Sequence, residues 1–248
     1  MPLRLRQLPQ HLFSRLACLI PSSCALCGVT GAESVCQGCH AQFFNAAPPR
    51  YIQCAAHLPH MVHSSTTRCG ECLRNNPAFD ATIVAADYAA PIDQLVLALK
   101  FGGRLSLAPL FARMLHDAVQ KLPHAERPTT LTAVPIGSQR LVERGFNQAL
   151  EIAKPLSRAL EITLDPKLLS RARDTRAQAM LHPDERRQNV RREFIVPADA
   201  IDRLRGQHVG LVDDVITTGA TLDEIAATLK RFGAARVTNI VFARTLQN

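Results

Sequence analysis

Aromatic residues are scarce in this sequence of 248 residues, which contains no tryptophan, two tyrosines and ten phenylalanines. A planar ligand can stack only on side chains with a flat apolar or cationic surface. Any such surface must therefore come from phenylalanine, tyrosine, arginine or histidine.

Long apolar runs are also absent. No segment approaches the ~20 apolar residues of a membrane-spanning helix. Residues 16–20 are apolar, but the run is too short for a signal peptide, and His11 and Arg15 interrupt the approach to it. We interpret residues 8–20 as a short amphipathic helix. We therefore expect a cytoplasmic protein without a membrane span, whose cysteines are reduced.

Acidic residues are the minority among the charged residues. The chain has 29 lysines and arginines against 21 aspartates and glutamates, which gives a net charge of +8. Such a charge is typical of proteins with phosphate-rich partners, such as nucleotides, sugar phosphates or nucleic acid. Because 47% of the residues are hydrophobic, the chain can bury a core, which excludes a disordered or fibrous protein.

Cysteine is absent after residue 72, although all eight cysteines occur up to that point. A change in composition of this kind marks a domain boundary. It predicts two domains: residues 1–78, a helix followed by a zinc-binding module, and residues 79–248.

The spacing of the cysteines is typical of metal ligands. Two Cys-x2-Cys pairs separated by a short turn can supply the tetrahedral set of four thiolates that zinc prefers. The predicted ligands of this first site are Cys24, Cys27, Cys36 and Cys39. A second, less regular set combines three cysteines with one histidine: Cys54, His57, Cys69 and Cys72.

Other interpretations of these residues stay open. Disulfides, buried thiols or an iron–sulfur cluster would use the same cysteines. In the second set His60 or His63 could replace His57, the set could be empty, and the two sets could exchange pairs. Four protein ligands leave zinc no open position for water, so we expect one or two structural zinc ions.

Strand-like and helix-like segments alternate after residue 78. The predicted strands are residues 81–88, 131–135, 209–212 and 236–243. The predicted helices are residues 92–99, 107–119, 147–160 and 221–232, with a kink or break at Pro155. This alternation predicts an α/β fold with a mostly parallel sheet flanked by helices.

The most informative segment is 209–221, in which an apolar strand leads into two carboxylates and a turn rich in threonine and glycine. Ligands of open α/β sheets bind at the carboxyl ends of the strands. N–H groups at the start of the following helix can hold a phosphate. Asp213 and Asp214 would suit the two hydroxyl groups of a ribose whose 5′-phosphate occupies the turn.

This segment resembles the motif with which type I phosphoribosyltransferases bind 5-phosphoribosyl 1-diphosphate (PRPP). The resemblance implies that Asp213 and Asp214 are catalytic residues that contact the ribose hydroxyls. It assigns the 5′-phosphate to the residues that follow, which are Val215, Thr217, Thr218, Gly219, Ala220 and Thr221.

The resemblance extends over nearly the whole chain, to the ComF family of type I phosphoribosyltransferase-like proteins with an N-terminal double zinc finger. The cysteine pairs, Leu99-Lys100-Phe101 and the segments 134–148 and 171–189 are similar to that family in order and spacing. One departure is Cys54-x2-His57, where the family usually has two cysteines. The resemblance implies a type I phosphoribosyltransferase fold preceded by a small zinc-binding module.

The loop after the strand 131–135 corresponds to the loop that binds the pyrophosphate of PRPP in type I phosphoribosyltransferases. The residues to which the resemblance gives this role are Ile136, Gly137, Ser138, Arg140, Arg144, Asn147 and Gln148. Asn147 and Gln148 could instead cap the following helix.

Residues 167–192 contain eight basic and three acidic residues. Type I phosphoribosyltransferases carry a flexible loop here that closes over the diphosphate. The resemblance gives this role to Arg173, Thr175, Gln178 and Arg186. A solvated charged surface or a track for a nucleic-acid backbone would use the same residues.

Three functions are compatible with these features. The first is a phosphoribosyltransferase that binds PRPP with Mg²⁺ and transfers to an acceptor that the sequence does not identify. The second is a catalytically silent sensor of PRPP or a nucleotide. The third is a single-stranded nucleic-acid-binding competence protein whose PRPP-type site is regulatory. The ComF resemblance implies single-stranded DNA and proteins of DNA uptake as partners.

Overall fold

The computed structural model describes residues 22–44, 48–59, 68–171 and 193–246. The chain divides into two compact units, Met1–Asn45 and Ala46–Asn248. Within the described ranges, no helix has the length and apolar character needed to cross a membrane.

The first unit is organised around its cysteines. Strands β1 (Ser22–Ser23) and β2 (Thr30–Gly31) pair in antiparallel fashion, and helix α1 spans Gln37–Phe44. In the turn between the strands the N–H of Gly28 donates to the carbonyl of Cys24 at 2.9 Å. This tight turn brings the first cysteine pair together ahead of α1.

A five-stranded sheet forms the centre of the second unit. Its strands are β3 (Ala81–Tyr88), β4 (Thr130–Ala133), β5 (Thr163–Leu164), β8 (His208–Ile216) and β9 (Arg236–Thr245). Their spatial order is β3-β9-β8-β4-β5, and every pair is parallel. The short strands β6 (Ser170–Arg171) and β7 (Phe194–Ile195) form a separate antiparallel pair. The predicted parallel α/β fold is confirmed.

Seven helices of the described second unit connect or flank these strands. They are α2 (Gly70–Asn75), α3 (Ile92–Lys100), α4 (Ala108–Gln120), α5 (Ser138–Arg144), α6 (Gln148–Leu160), α7 (Ile201–Leu204) and α8 (Ala220–Arg231). The predicted helices 92–99, 107–119 and 221–232 agree with α3, α4 and α8 to within about one residue, which is the usual uncertainty of helix ends.

The sheet is covered on both faces. Phe242 of β9 stacks on Phe111 of α4, with 3.5 Å between the ring centroids. The next residue back along the strand, Val241, belongs to an apolar cluster with Ile225 and Leu229 of α8. Because successive strand residues point to opposite faces of a sheet, α4 and α8 lie on opposite sides of it.

Strand β8 is longer than predicted. The sequence indicated an end at Val212, but the ladder with β9 continues and pairs Asp213 with Val241 and Ile216 with Arg244. The prediction of this end was wrong because β9 offers backbone partners along its whole length, which the local sequence does not reveal. The two carboxylates therefore lie within the strand.

Helix α6 continues through Pro155 from Gln148 to Leu160, so the predicted break does not occur. Proline in a helix interior costs about 3 kcal/mol. The helix also has a buried face, which includes Ile152 and Leu156, both fully buried. Burying these apolar side chains offsets the proline penalty.

The segment with the second cysteine set belongs to the second unit. The N–H of Thr82 donates to the carbonyl of Ile52 at 2.9 Å, and Oγ1 of Thr82 donates to the carbonyl of Gln53 at 2.7 Å. The amide of Gln53 donates in turn to the carbonyl of Phe79 at 2.9 Å. These bonds connect the segment to the start of β3. The boundary predicted after residue 78 therefore lies inside the second unit.

Candidate functional site

The carboxyl ends of β4 and β8 open into a cleft of about 210 Å³. Its lining includes these residues that the sequence had singled out: Ile136, Arg140, Asn147, Gln148, Asp213, Asp214, Val215, Thr217, Thr218, Gly219, Ala220 and Thr221. The carboxylate pair, the threonine-rich turn and part of the second loop therefore share one site, at the edge where parallel sheets bind ligands.

The two carboxylates differ in their surroundings. Asp214 is 3% exposed, and its Oδ2 lies 3.0 Å from Nζ of Lys100. Asp213 is less buried by accessible surface, and its Oδ1 accepts the backbone N–H of Asp214 at 2.8 Å. Burial, followed by the adjacent carboxylate of Asp214, raises the pKa of Asp213 well above its usual value. The pair can accept hydrogen bonds from two neighbouring hydroxyl groups.

Residues 217–219 form the turn between β8 and α8. Gly219 has φ of +83°, in the left-handed region that favours glycine, and α8 has no side-chain hydrogen bond at this N-cap. The N–H of Ala220 contacts Oγ1 of Thr218 at 3.3 Å. Further N–H groups of the first helical turn lack a side-chain cap, and together with the helix dipole they form a seat for an anion.

The second loop reaches the cleft only in part. Ile136 and Arg140 line the cleft, whereas the lining does not include Gly137, Ser138 or Arg144. The guanidinium of Arg144 lies over the ring of Phe101, 4.9 Å from its centroid. Arg140 and Arg144 are one turn apart on α5, and the cleft extends only to Arg140, the residue nearer the start of the helix.

Asn147 and Gln148 have separate roles. Oδ1 of Asn147 accepts the N–H of Ala149 at 3.0 Å, so Asn147 is the N-cap of α6, and its Nδ2 donates to the carbonyl of Val134 at 3.0 Å. Gln148 is 8% exposed, and its buried Oε1 has no hydrogen-bond partner among the described residues. Because an unpaired buried polar atom is costly, Gln148 is the better candidate for a ligand contact.

The cleft also contains two basic residues that were absent from the predicted site. Lys100 pairs with Asp214, and Arg171 pairs with Glu193 and lies over the ring of Phe194. Both belong to segments that resemble the ComF family, Leu99-Lys100-Phe101 and 171–189, and this resemblance was the sequence signal that could have identified them. Their positions beside the cleft depend on contacts between distant parts of the chain. The four predicted flexible-loop residues, Arg173, Thr175, Gln178 and Arg186, lie outside the described residues.

The first cysteine set has the geometry of a metal site. The sulfur atoms of Cys24, Cys27, Cys36 and Cys39 all lie within 4.8 Å of one another. Sγ of Cys27 and Sγ of Cys36 are 3.6 Å apart, close to the about 3.8 Å expected between thiolates that are each about 2.3 Å from a tetrahedral zinc. These four residues could hold one zinc ion.

Hydrogen bonds to sulfur favour the thiolate form of Cys24 in this set. The N–H groups of Cys36 and Leu26 lie 3.3 and 3.5 Å from Sγ of Cys24. Burial alone would raise the pKa of Cys24, but backbone N–H groups, those of Cys27 and Cys36 foremost, lower it to about 6. All seven cysteines that the structure describes are free thiols, so it contains no disulfide among them.

The second set consists of three cysteines. The sulfur atoms of Cys54, Cys69 and Cys72 lie within 4.8 Å of one another, and those of Cys54 and Cys69 are 3.6 Å apart. The structure does not bring His57 to them, because its Nε2 contacts Oδ1 of Asp87 at 2.8 Å. The alternative histidines, His60 and His63, lie outside the described residues. The three thiols could supply three of the four ligands of a structural zinc site.

Known proteins resemble this chain over most of its length. Residues 147–248 match a family model described as a phosphoribosyl transferase domain. The chain is 34% identical over 239 residues to the DNA utilization protein YhgH of Escherichia coli (strain K12), covering 92% of this chain and 99% of that protein. It is 31% identical over 208 residues to competence protein F of Haemophilus influenzae, covering 83% and 88%.

A solved structure with similarity to the chain is described as the allosteric regulatory enzyme of purine biosynthesis. It is 21% identical, with a TM-score of 0.42, and the match covers 59% of this chain and 30% of that one.

Proposed function

The chain belongs to the ComF family of phosphoribosyltransferase-like proteins, and on that premise we propose that it binds PRPP with Mg²⁺ in the cleft at the ends of β4 and β8. One observation carries the proposal. The Asp213–Asp214 pair, the turn at the start of α8 and the basic residues Lys100 and Arg140 line the same cleft. Each of them suits a different part of a sugar diphosphate.

The carboxylates suit the ribose. Two vicinal hydroxyl groups can donate to Asp213 and Asp214, which are adjacent in the chain and line the cleft near the carboxyl end of β8. Lys100, 3.0 Å from Asp214, offsets part of their negative charge. The 5′-phosphate would then lie on the N–H groups of α8, next to the hydroxyls of Thr217 and Thr218.

The basic residues suit the diphosphate. Arg140 and Arg171 line the cleft and can donate to phosphate oxygens, whereas the unpaired Oε1 of Gln148 can accept a hydrogen bond from a hydroxyl group of the ligand. When bound, Mg²⁺ lowers the charge on the leaving diphosphate. Transfer breaks the bond between ribose C1 and a diphosphate oxygen, which leaves with the electron pair. The acceptor forms the new bond to C1 and loses a proton.

Calorimetric titration of the zinc-loaded protein with Mg²⁺–PRPP tests this proposal. We expect saturable binding to the wild type and none to the D213N/D214N double variant. The matched control is D202N, which removes an exposed carboxylate of α7, and it should bind as the wild type does. Folded wild-type protein that does not bind would contradict the proposal.

A link to the use of DNA is the second part of the proposal. It is supported by the names of the relatives, a DNA utilization protein and a competence protein, and by the net charge of +8. Nucleic-acid binding by basic residues releases counterions and therefore weakens as salt concentration rises. We propose single-stranded DNA as a partner, and that the sugar-phosphate site serves this role either as an enzyme or as a regulator.

Fluorescence anisotropy of a labelled single strand, measured over a range of salt concentrations, tests the DNA link. Replacing Arg186, Arg187, Arg191 and Arg192 should reduce both the affinity and its salt dependence if this segment follows the phosphates. The D213N/D214N variant should keep its DNA affinity. An unchanged salt slope in the arginine variant would assign the segment to the small ligand instead.

A further inference from the structure

A second cavity, of about 330 Å³, lies on the other side of the phosphate-binding turn. Its lining includes the three sulfur ligands of the second set, Cys54, Cys69 and Cys72, together with Gly219, Ala220 and Arg244. Thr218, Gly219 and Ala220 line both this cavity and the cleft. The turn that would hold the 5′-phosphate is therefore a thin wall between the cleft and the second metal site.

Arg244 is an unusual residue for this position. It lies in β9, where its Cα partners are Asp87 of β3 and Ile216 of β8, the last strand residue before the turn. It is 4% exposed, and its buried Nη1 has no hydrogen-bond partner among the described residues. A buried guanidinium nitrogen without an acceptor is costly, so an anion beside Nη1 would stabilise this side chain.

The nearby carboxylates of the sheet and of α8 are already engaged. Oδ1 of Asp87 is 2.8 Å from both Arg50 and His57. Oδ1 of Asp223, in the first turn of α8, accepts the N–H of Ala78 at 2.6 Å. Glu71 also lines the cavity, but it is exposed, where water screens its charge.

The sulfur atoms of the second set line the same cavity as Arg244 and are a further source of negative charge. A zinc ion brings two positive charges to three thiolates, so the loaded set has a net charge of about −1 from these four groups. This charge would lie in the cavity that the Arg244 side chain lines. A metal-loaded second set can therefore supply the negative charge that the guanidinium lacks.

We propose that Arg244 is a positioning residue of the sugar-phosphate site, whose charge is balanced by the thiolates of the loaded second metal set. Together the two groups hold the phosphate-binding turn from the side opposite the cleft. This inference rests on the proposed function, because it concerns the affinity of that site for its sugar phosphate.

The arrangement couples two binding events. If zinc in the second set favours the ordered turn, then a sugar phosphate bound to the turn must favour zinc by the same factor. Such couplings are typically about 5–150-fold. A purely local structural role for either group would not produce this reciprocity.

The test uses R244Q, which removes the charge, and R244K, which keeps it. The control is R236Q, at the opposite end of the same strand, where an arginine also has a buried nitrogen without a hydrogen-bond partner among the described residues. Calorimetry gives the affinity for Mg²⁺–PRPP, and competition with a chromogenic chelator gives the zinc affinity. We expect R244Q to weaken both by about tenfold, R244K to restore most of the loss, and R236Q to change neither.

Two results would overturn the inference. One is wild-type affinity of R244Q for both ligands. The other, which needs no variant and so does not depend on R244Q folding, is zinc affinity of the wild type that does not change on addition of saturating Mg²⁺–PRPP. If the wild type does not bind Mg²⁺–PRPP at all, the proposed function fails. The zinc affinity of R244Q relative to R236Q then still decides whether Arg244 balances the thiolates.

An E71Q variant separates the two possible counter-charges. Glu71 is an exposed acidic residue of the cavity wall. If the thiolates balance Arg244, E71Q should keep the affinity for Mg²⁺–PRPP. A tenfold loss in E71Q, equal to that of R244Q, would assign the counter-charge to Glu71 and contradict the inference.

Discussion

The two cysteine sets look alike in sequence but lie in different parts of the chain. The first set, Cys24 to Cys39, belongs to the unit Met1–Asn45 and makes its backbone hydrogen bonds within that unit. The second set, Cys54 to Cys72, belongs to the unit with the sheet and lines a cavity directly behind the turn that we propose binds the 5′-phosphate. Similar metal-binding motifs can therefore have different consequences for the function of one protein.

This difference follows from what each segment packs against. Residues of the first set form turns and a short helix, with hydrogen bonds such as the N–H of His40 to the carbonyl of Cys36, 2.9 Å long. The second segment instead bonds to β3 through Ile52 and Gln53. A metal in the second segment thus stabilises a structure that also forms one wall of the ligand site.

Loss of a metal ion from the second set should lower the stability of the protein the most. C69S should lose one zinc ion, melt at a lower temperature and bind Mg²⁺–PRPP at least about tenfold more weakly, because the wall behind the turn is loosened. C36S, the matched change in the first set, should lose one zinc ion but keep its affinity. Zinc content, melting temperature and calorimetry measure these effects. Equal losses of affinity in both variants would remove the distinction between the sets.

A variant in the cleft should separate affinity from stability. Burial and the neighbouring carboxylate raise the pKa of Asp213, so stability falls as the pH rises from the ordinary carboxyl pKa to this raised pKa, and it stays lower above it. Asparagine is always neutral. D213N should therefore melt at a higher temperature than the wild type near pH 7, and this gain should vanish as the pH falls to about 4, where the wild-type carboxyl is neutral as well.

The same variant should lose its affinity for Mg²⁺–PRPP. C69S lowers affinity and stability together, whereas D213N should lower affinity while stability rises. Thermal melts from pH 4 to pH 8, with D202N as the exposed control, provide the measurement. A D213N protein that melts below the wild type at pH 7 would show that the carboxylate stabilises the apo-protein, against this account.

The smallest effect is expected for His57. Its ring contacts Asp87 and is 39% exposed by side chain, so H57Q removes a partly exposed pair worth less than about 1 kcal/mol. Zinc content should stay the same as in the wild type, because the three cysteines form the described set. Loss of one zinc ion in H57Q would instead show that His57 is a zinc ligand, and the second set would then have four ligands like the first.

The sequence predicted the features that depend on local pattern. The α/β alternation, the carboxylate pair, the turn at Gly219 and the two sets of cysteines all follow from residues that are neighbours in the chain. The structure brings most of the predicted cleft residues together because the strand ends of a parallel sheet share one edge.

Features that depend on distant partners were not predicted. Lys100 at the end of α3 reaches Asp214 of β8, and His57 contacts Asp87 on β3, although its spacing from Cys54 is that of a metal ligand. The length of β8 depends on β9, and the segment with the second cysteine set joins the unit with the sheet because Gln53 bonds to the start of β3. Pairings of this kind leave no mark in the local sequence.

Hydrogen exchange at the backbone amides of residues 217–221 reports on the turn between the cleft and the second metal set. It therefore tests whether this turn binds the phosphate and whether the second metal set stabilises it. In the zinc-loaded wild type, Mg²⁺–PRPP should slow exchange there. Without ligand, C69S should exchange faster at these amides than the wild type, and C36S should not. Exchange that responds neither to the ligand nor to loss of the second metal would contradict both the phosphate-binding role of the turn and its stabilisation by the second metal set.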